Sequence, residues 1–207
     1  MGDAVLAVVV GAFGLVVGAA LGPLIGRSLP NRDVRVRPRA VIVPVTGLLF
    51  AATALRIEAP SLPAYLYFVA VCVALAVIDL AARRLPNAIV LPSYPVIAVL
   101  LTASSLWRHD FWPLAWAGIG GALLLVFFTV LATAQPASMG FGDVKLAGLI
   151  GLALGYLSWT ALLVGAFAGV LLGGIAAVVL IARGRGRDAT FPFGPFLIAG
   201  ALLGMLV

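Results

Sequence analysis

Residues 146–182 read LAGLIGLALGYLSWTALLVGAFAGVLLGGIAAVVLIA, 37 positions without one charged side chain. A bilayer core about 30 Å thick needs about 20 apolar helical residues, so this run is too long for one crossing and suits two. The break is expected near Gly155–Ser158, where a tight turn is plausible in small and hydroxyl residues. Working outward, further apolar runs occupy Ala4–Ile25, Val41–Leu55, Pro63–Ala82, Ala88–Leu106 and Trp112–Ala134, with a short last run at Pro192–Val207. They are continuous rather than alternating, which favours helices over barrel strands. The expected fold is all-α: a polytopic helical membrane protein of about eight transmembrane helices. The sixth, only about a dozen residues from Leu146, is expected to be tilted or incomplete.

Composition agrees. The 207 residues are 64% apolar and 10% charged, and their mean hydropathy is +1.22. Soluble domains run at about 45–50% apolar and about 25% charged. A water-soluble enzyme or a disordered chain is thereby excluded. The net charge is +6, but the basic residues fall in short clusters between apolar runs. That pattern marks topology and contact with anionic lipid, not a nucleic-acid face. The single Cys72 lies inside an apolar run, which leaves no disulfide framework and no cysteine zinc site. No metal or other cofactor is expected.

Orientation follows from the basic residues. Arg27, Arg32, Arg35, Arg37, Arg39, Arg83, Arg84, Lys145, Arg183, Arg185 and Arg187 collect on one side, and only Arg56 and Arg108 on the other. The rich side is cytoplasmic by the positive-inside rule, so both termini are expected on the extracytoplasmic face. The first run carries Asp3 and no basic residue ahead of it, so it reads as a retained helix rather than a cleaved signal. Residues 1–207 read as one membrane domain with its core at about 63–182, and 26–40 as a short basic cytoplasmic loop. Gly14, Gly18, Gly22 and Gly26, and again Gly165, Gly169 and Gly173, recur every four positions. Such stripes let helices approach closely in lipid; intramolecular packing is the preferred reading, with a homo-oligomer contact as the other.

Seven acids remain to be placed. Asp3, Glu58 and Asp110 fall outside, and Asp33 and Asp188 lie in cytoplasmic loops beside arginines. Asp79 ends the apolar run Val71–Ile78, and Asp143 lies in Gly140-Phe141-Gly142-Asp143 at the entrance to the sixth span. An acid at membrane depth costs about 2.5–3.5 kcal/mol on insertion scales, which makes both functional candidates. The topology brings them to the same end of the bundle. Two neighbouring carboxyls share a proton. One can activate a water while the other polarises a carbonyl and protonates a leaving amine. On spacing alone, helix caps or partners of Arg83, Arg84 or Lys145 are an equal reading. Gly140 and Gly142, lacking side chains, would admit a substrate backbone beside Asp143. Lys145 reads as a substrate contact or as a snorkelling interface residue. Pro86 and Asn87 are expected to end one helix and cap the next.

Asp79 with Arg83-Arg84-Leu85-Pro86-Asn87, and Gly140-Phe141-Gly142-Asp143-Val144-Lys145-Leu146, resemble the two signature segments of the type IV prepilin peptidases, GxGD-class intramembrane aspartyl proteases. Pro192-Phe193-Gly194-Pro195-Phe196 is similar to the C-terminal signature of the bacterial branch, and Gly18 through Arg27-Ser28-Leu29-Pro30 more weakly to the first helix and loop. The resemblance implies a bacterial inner (plasma) membrane protease with its active site facing the cytoplasm and Asp79 and Asp143 as the catalytic pair. Its partners would be type IV pilin or pseudopilin precursors and membrane lipid, with no nucleic acid. The family's cut follows a glycine and precedes a hydrophobic helix.

Longer members carry a cytoplasmic domain with two Cys-x-x-Cys zinc pairs and also N-methylate the new terminus. Here 26–40 contains no cysteine, so peptidase activity without methyl transfer is expected. A small transporter or proton-coupled channel using the two aspartates as a relay is the alternative. It fits less well with two acids at one face, where a midplane site would be favoured.

Overall fold

The computed structural model describes residues 2–28, 39–134, 140–183 and 192–207. Arg32, Arg35, Arg37, Arg185 and Arg187, which weigh in the charge asymmetry, lie outside these residues, as do Asp33, Asp188 and most of the 26–40 loop. The described residues form eight helices: α1 (Gly2–Ser28), α2 (Arg39–Arg56), α3 (Leu62–Ala82), α4 (Asn87–Arg108), α5 (Trp112–Ala134), α6 (Phe141–Leu157), α7 (Trp159–Ala182) and α8 (Gly194–Gly204). Five of them (α1, α3, α4, α5 and α7) are long and apolar enough to cross a membrane; α2 and α8 are shorter. At 1.5 Å per residue the 11 residues of α8 reach about 16 Å, roughly half a bilayer core.

The 37-residue run divides at Ser158, whose backbone is extended (φ −172°, ψ 161°) and whose hydroxyl accepts the Ala161 N–H to start α7. The structure corrects the start of α6, expected at Leu146. It begins at Phe141 and runs for 17 residues, because Gly140 turns the backbone and Asp143 caps the first turn. The apolar count misses these first five residues because Asp143 and Lys145 lie among them.

Backbone approach organises the bundle. Gly14 and Gly18 lie against Phe50, Gly47, Val43 and Thr46 of α2, while Gly165 and Gly169 of α7 lie against Leu197, Gly200 and Ala201 of α8. A third glycine seam, not read from the sequence, joins α5 to α6: a Cβ at Gly120 would stand 2.6 Å from the Gly151 carbonyl oxygen. In lipid, where apolar burial between helices gives little, such contact supplies the association. The most enclosed of the long helices is α3, with 61% of its apolar window buried. Hydroxyl groups tie it and α4 to α6. Tyr65 donates to the Ala153 carbonyl (2.6 Å), Tyr94 to the Lys145 carbonyl (2.6 Å), and Ser105 pairs with Tyr156 (2.9 Å). Ser61 and Ser104 pair at 2.7 Å between α3 and α4.

Candidate active site

Asp79 lies one turn before the end of α3. The helix closes at Arg83, whose left-handed backbone (φ 50°, ψ 42°) turns its N–H onto the Asp79 carbonyl at 2.8 Å. Residues 84–86, outside any helix and extended at Pro86, then lead the chain into α4. Asp143 occupies the third position of α6, and its Oδ2 accepts the Gly140 N–H at 3.2 Å. This is half of a capping box; glycine has no side chain to return the other bond.

The fold brings these two acids together across 64 positions of sequence. Both are buried, 4% and 8% exposed, and their carboxyl groups are within electrostatic range of each other. Asp79 Oδ2 accepts the backbone N–H of Gly194, the first residue of α8, at 3.1 Å. Each carboxylate therefore holds one oxygen against an amide at a helix N-terminus, where the dipole favours negative charge. Asp143 Oδ1 is buried with no hydrogen-bond partner among the described residues. An orphan carboxylate oxygen beside a second acid is chemically suited to bind a water or a substrate group.

The glycines of the Gly140–Asp143 segment behave differently. A Cβ at Gly140 would be 3.7 Å from Asp143 Oδ2, whereas one at Gly142 would meet Leu85 Cβ at 3.0 Å. The space beside Gly142 is thus occupied by Leu85, which also lies 3.5 Å from a Cβ built at Gly194. Leu85 sits between the start of α6, which carries Asp143, and the start of α8, whose Gly194 amide holds Asp79. Lys145 donates from Nζ to Asn87 Oδ1 at 2.9 Å, linking α6 to α4. Asn87 was expected to cap α4; instead it is the first helical residue after Pro86, which caps with no side-chain bond. Its amide serves Lys145. No group of three or more His, Cys, Asp or Glu side chains is placed to hold a metal among the described residues.

Sequence reasoning named Gly194 only within the C-terminal signature segment and Leu85 only within the first, and it gave Tyr94 no role. Only Gly194 carried a usable signal. A glycine between Phe193 and Pro195 at a helix start, opposite an acid on another helix, marks an amide that can be approached closely.

Residues 66–178 match the type IV leader peptidase family. The chain is 32% identical over 184 residues to a Bacillus subtilis (strain 168) protein named prepilin leader peptidase/N-methyltransferase, covering 87% of this chain and 69% of that one. A Legionella pneumophila protein of the same name is 29% identical over 136 residues, 65% of this chain and 46% of its own length. No solved structure matches. With more than half of its residues inside the family match, and 32% of the aligned positions identical to the Bacillus protein along most of both chains, this helical membrane chain belongs to the type IV leader peptidase family, the prepilin peptidases.

Proposed function

We propose that the chain is an aspartic endopeptidase that removes the basic leader of type IV pilin-like precursors at the cytoplasmic face of the bacterial plasma membrane, with Asp79 and Asp143 as its catalytic pair. Residues 1–207 act as a single peptidase domain built around 63–182. The ionised carboxyl takes a proton from water as its oxygen attacks the scissile carbonyl carbon. The protonated carboxyl donates to the carbonyl oxygen, and the tetrahedral intermediate collapses as the leaving nitrogen is protonated. The observation that carries this reading is the meeting of two buried acids, one with an oxygen that no described protein group satisfies.

The orientation rests on the basic residues, which favour a cytoplasmic location for the end of the bundle where α3 closes and α6 and α8 begin. The precursor's apolar helix would remain in lipid while its leader stays in the cytosol. Gly140 and Lys145 border the place where its backbone would lie, whereas Leu85 fills the space beside Gly142. The absence of cysteine between residues 26 and 40 supports cleavage without the methyl transfer that the relatives' names include.

The test is cleavage of a precursor, with a basic leader ahead of a glycine and an apolar helix, by the wild-type chain and by Asp79→Asn and Asp143→Asn. Cleavage by the wild type alone is expected. Retained cleavage by either variant overturns the assignment, and a methylated product formed with a methyl donor overturns the second half.

A further inference from the structure

Asp79 and Asp143 are held in different ways. The amide on Asp143 comes from its own helix turn, whereas the one on Asp79 comes from α8, 115 residues further along. We propose that Gly194 is a positioning residue for the Asp79 carboxylate: its backbone N–H fixes Oδ2, and its missing side chain makes that approach open. The inference rests on Asp79 as a member of the hydrolytic pair.

Three observations support it. The bond is buried and 3.1 Å long. A Cβ at residue 194 would lie 2.8 Å from Asp79 Oδ2 and 3.4 Å from its Cγ, so any other residue displaces the carboxylate or the helix start. The rest of the first turn of α8 is not offered to Asp79. Pro195 has no N–H, and the amides of Phe196 and Leu197 donate to the Phe193 carbonyl at 3.1 and 3.2 Å. Phe193, in the N-cap position, makes no side-chain cap. Asp79 takes that place from another helix, so it caps α8 while α8 orients it.

The geometry of the pair therefore depends on how α8 docks. Docking is set by the seam in which Gly165 and Gly169 of α7 admit the backbone of Gly200 and Leu197. A shift of α8 along α7 would move Oδ2 of Asp79 while leaving Asp143 on its own cap.

The experiment measures kcat and KM for precursor cleavage by purified wild type, Gly194→Ala, Gly194→Pro and Asp79→Asn. Thermal unfolding and isotope-edited infrared spectra of labelled aspartate carboxyls are recorded alongside. Proline removes the donor at a position where helices tolerate it; alanine keeps the donor and displaces its acceptor. Both variants are expected to lower kcat about 10- to 100-fold, the factor attached to one hydrogen bond to a charged group, with KM within about two-fold. Both are also expected to shift a carboxyl band that is missing in Asp79→Asn. A purely structural role for Gly194 would lower the unfolding midpoint without moving that band. The proposal is overturned by kcat within about two-fold of wild type in both variants. It is equally overturned by an unmoved carboxyl band in the folded fraction, whatever the activity. Full cleavage by Asp79→Asn would instead remove the catalytic reading itself, so the two failures are distinguishable.

Discussion

Asp143→Asn separates the charge of the acid pair from the helix cap that Asp143 also supplies. In the wild type, Oδ2 accepts the Gly140 N–H at 3.2 Å and Oδ1 is buried without a partner. Asparagine keeps one carbonyl oxygen for the Gly140 bond, so α6 retains its cap. The orphan oxygen is replaced by an amide donor, which is expected to turn to the neighbouring Asp79 carboxylate once the like-charge conflict between the two acids is gone. A buried polar atom left unsatisfied costs about 1–3 kcal/mol, so the variant is expected to be more stable by about that much. For a chain of this size, about 2–4 °C per kcal/mol gives a rise of roughly 2–12 °C in unfolding midpoint. Cleavage should fall about 10²- to 10⁴-fold through loss of the acid–base step.

Asp143→Ala provides the contrast. It removes the same charge but also the cap acceptor, worth about 0.5–2 kcal/mol, so its midpoint should lie below that of asparagine. Thermal unfolding in detergent, followed by the fluorescence of the four tryptophans, reads both at a pH where the pair is charged. An asparagine midpoint at or below wild type would refute the picture of a strained acid pair. An alanine midpoint above asparagine would refute the capping role.

Gly120→Ala would place its methyl 2.6 Å from the Gly151 oxygen, and overpacking of this kind costs about 1–3 kcal/mol; a lowered midpoint in detergent unfolding checks it. Tyr94→Phe loses a 2.6 Å bond to the Lys145 carbonyl, worth about 1 kcal/mol, and should lower the midpoint by roughly 2–4 °C. The Glu58–Arg108 pair is 2.6 Å long, but its side chains are 70% and 36% exposed. Glu58→Ala should therefore change stability by less than about 1 kcal/mol and leave cleavage unaltered. Cys72 is fully buried and is therefore expected to be silent to thiol reagents. In intact cells an impermeant maleimide should accordingly label Phe111→Cys and not Ala88→Cys; the opposite pattern would invert the proposed orientation.

Apolar run length was enough to locate most helix bodies, because in lipid a helix is specified by a continuous stretch that no soluble fold could hide. It failed where polar residues take part in a helix. The first five residues of α6 include Asp143 and Lys145, so hydropathy placed its start at Leu146 instead of Phe141. The break at Ser158 was legible, since a serine before an apolar run is a good N-cap. Pairing was only half legible. Four-residue glycine stripes on α1 and α7 announce close contacts, but the stripe alone does not name α2 and α8 as the partners. The seam between Gly120 and Gly151 was not read at all. Of the candidate site, the two acids were visible as charges at membrane depth. Of their supports only the glycine at position 194 left a mark, because the donor on Asp79 is a backbone amide and backbone groups do not show in composition.

That last point bears on where an acid pair can sit in such a bundle. In the interior of a helix every amide is committed to the carbonyl four residues earlier, so a buried carboxylate there has no backbone donors to draw upon. At a helix N-terminus the first amides are uncommitted and the dipole is positive. Asp143 uses the start of its own helix, and Asp79, near the end of α3, uses the start of α8. Two helix starts and one helix end must therefore lie at one depth, which an alternating bundle provides only at one of its faces. On the proposed reading this requirement also fixes the substrate. A bond cut at that depth has an apolar helix on one side and a soluble segment on the other, and a leader joined to a membrane helix has that form.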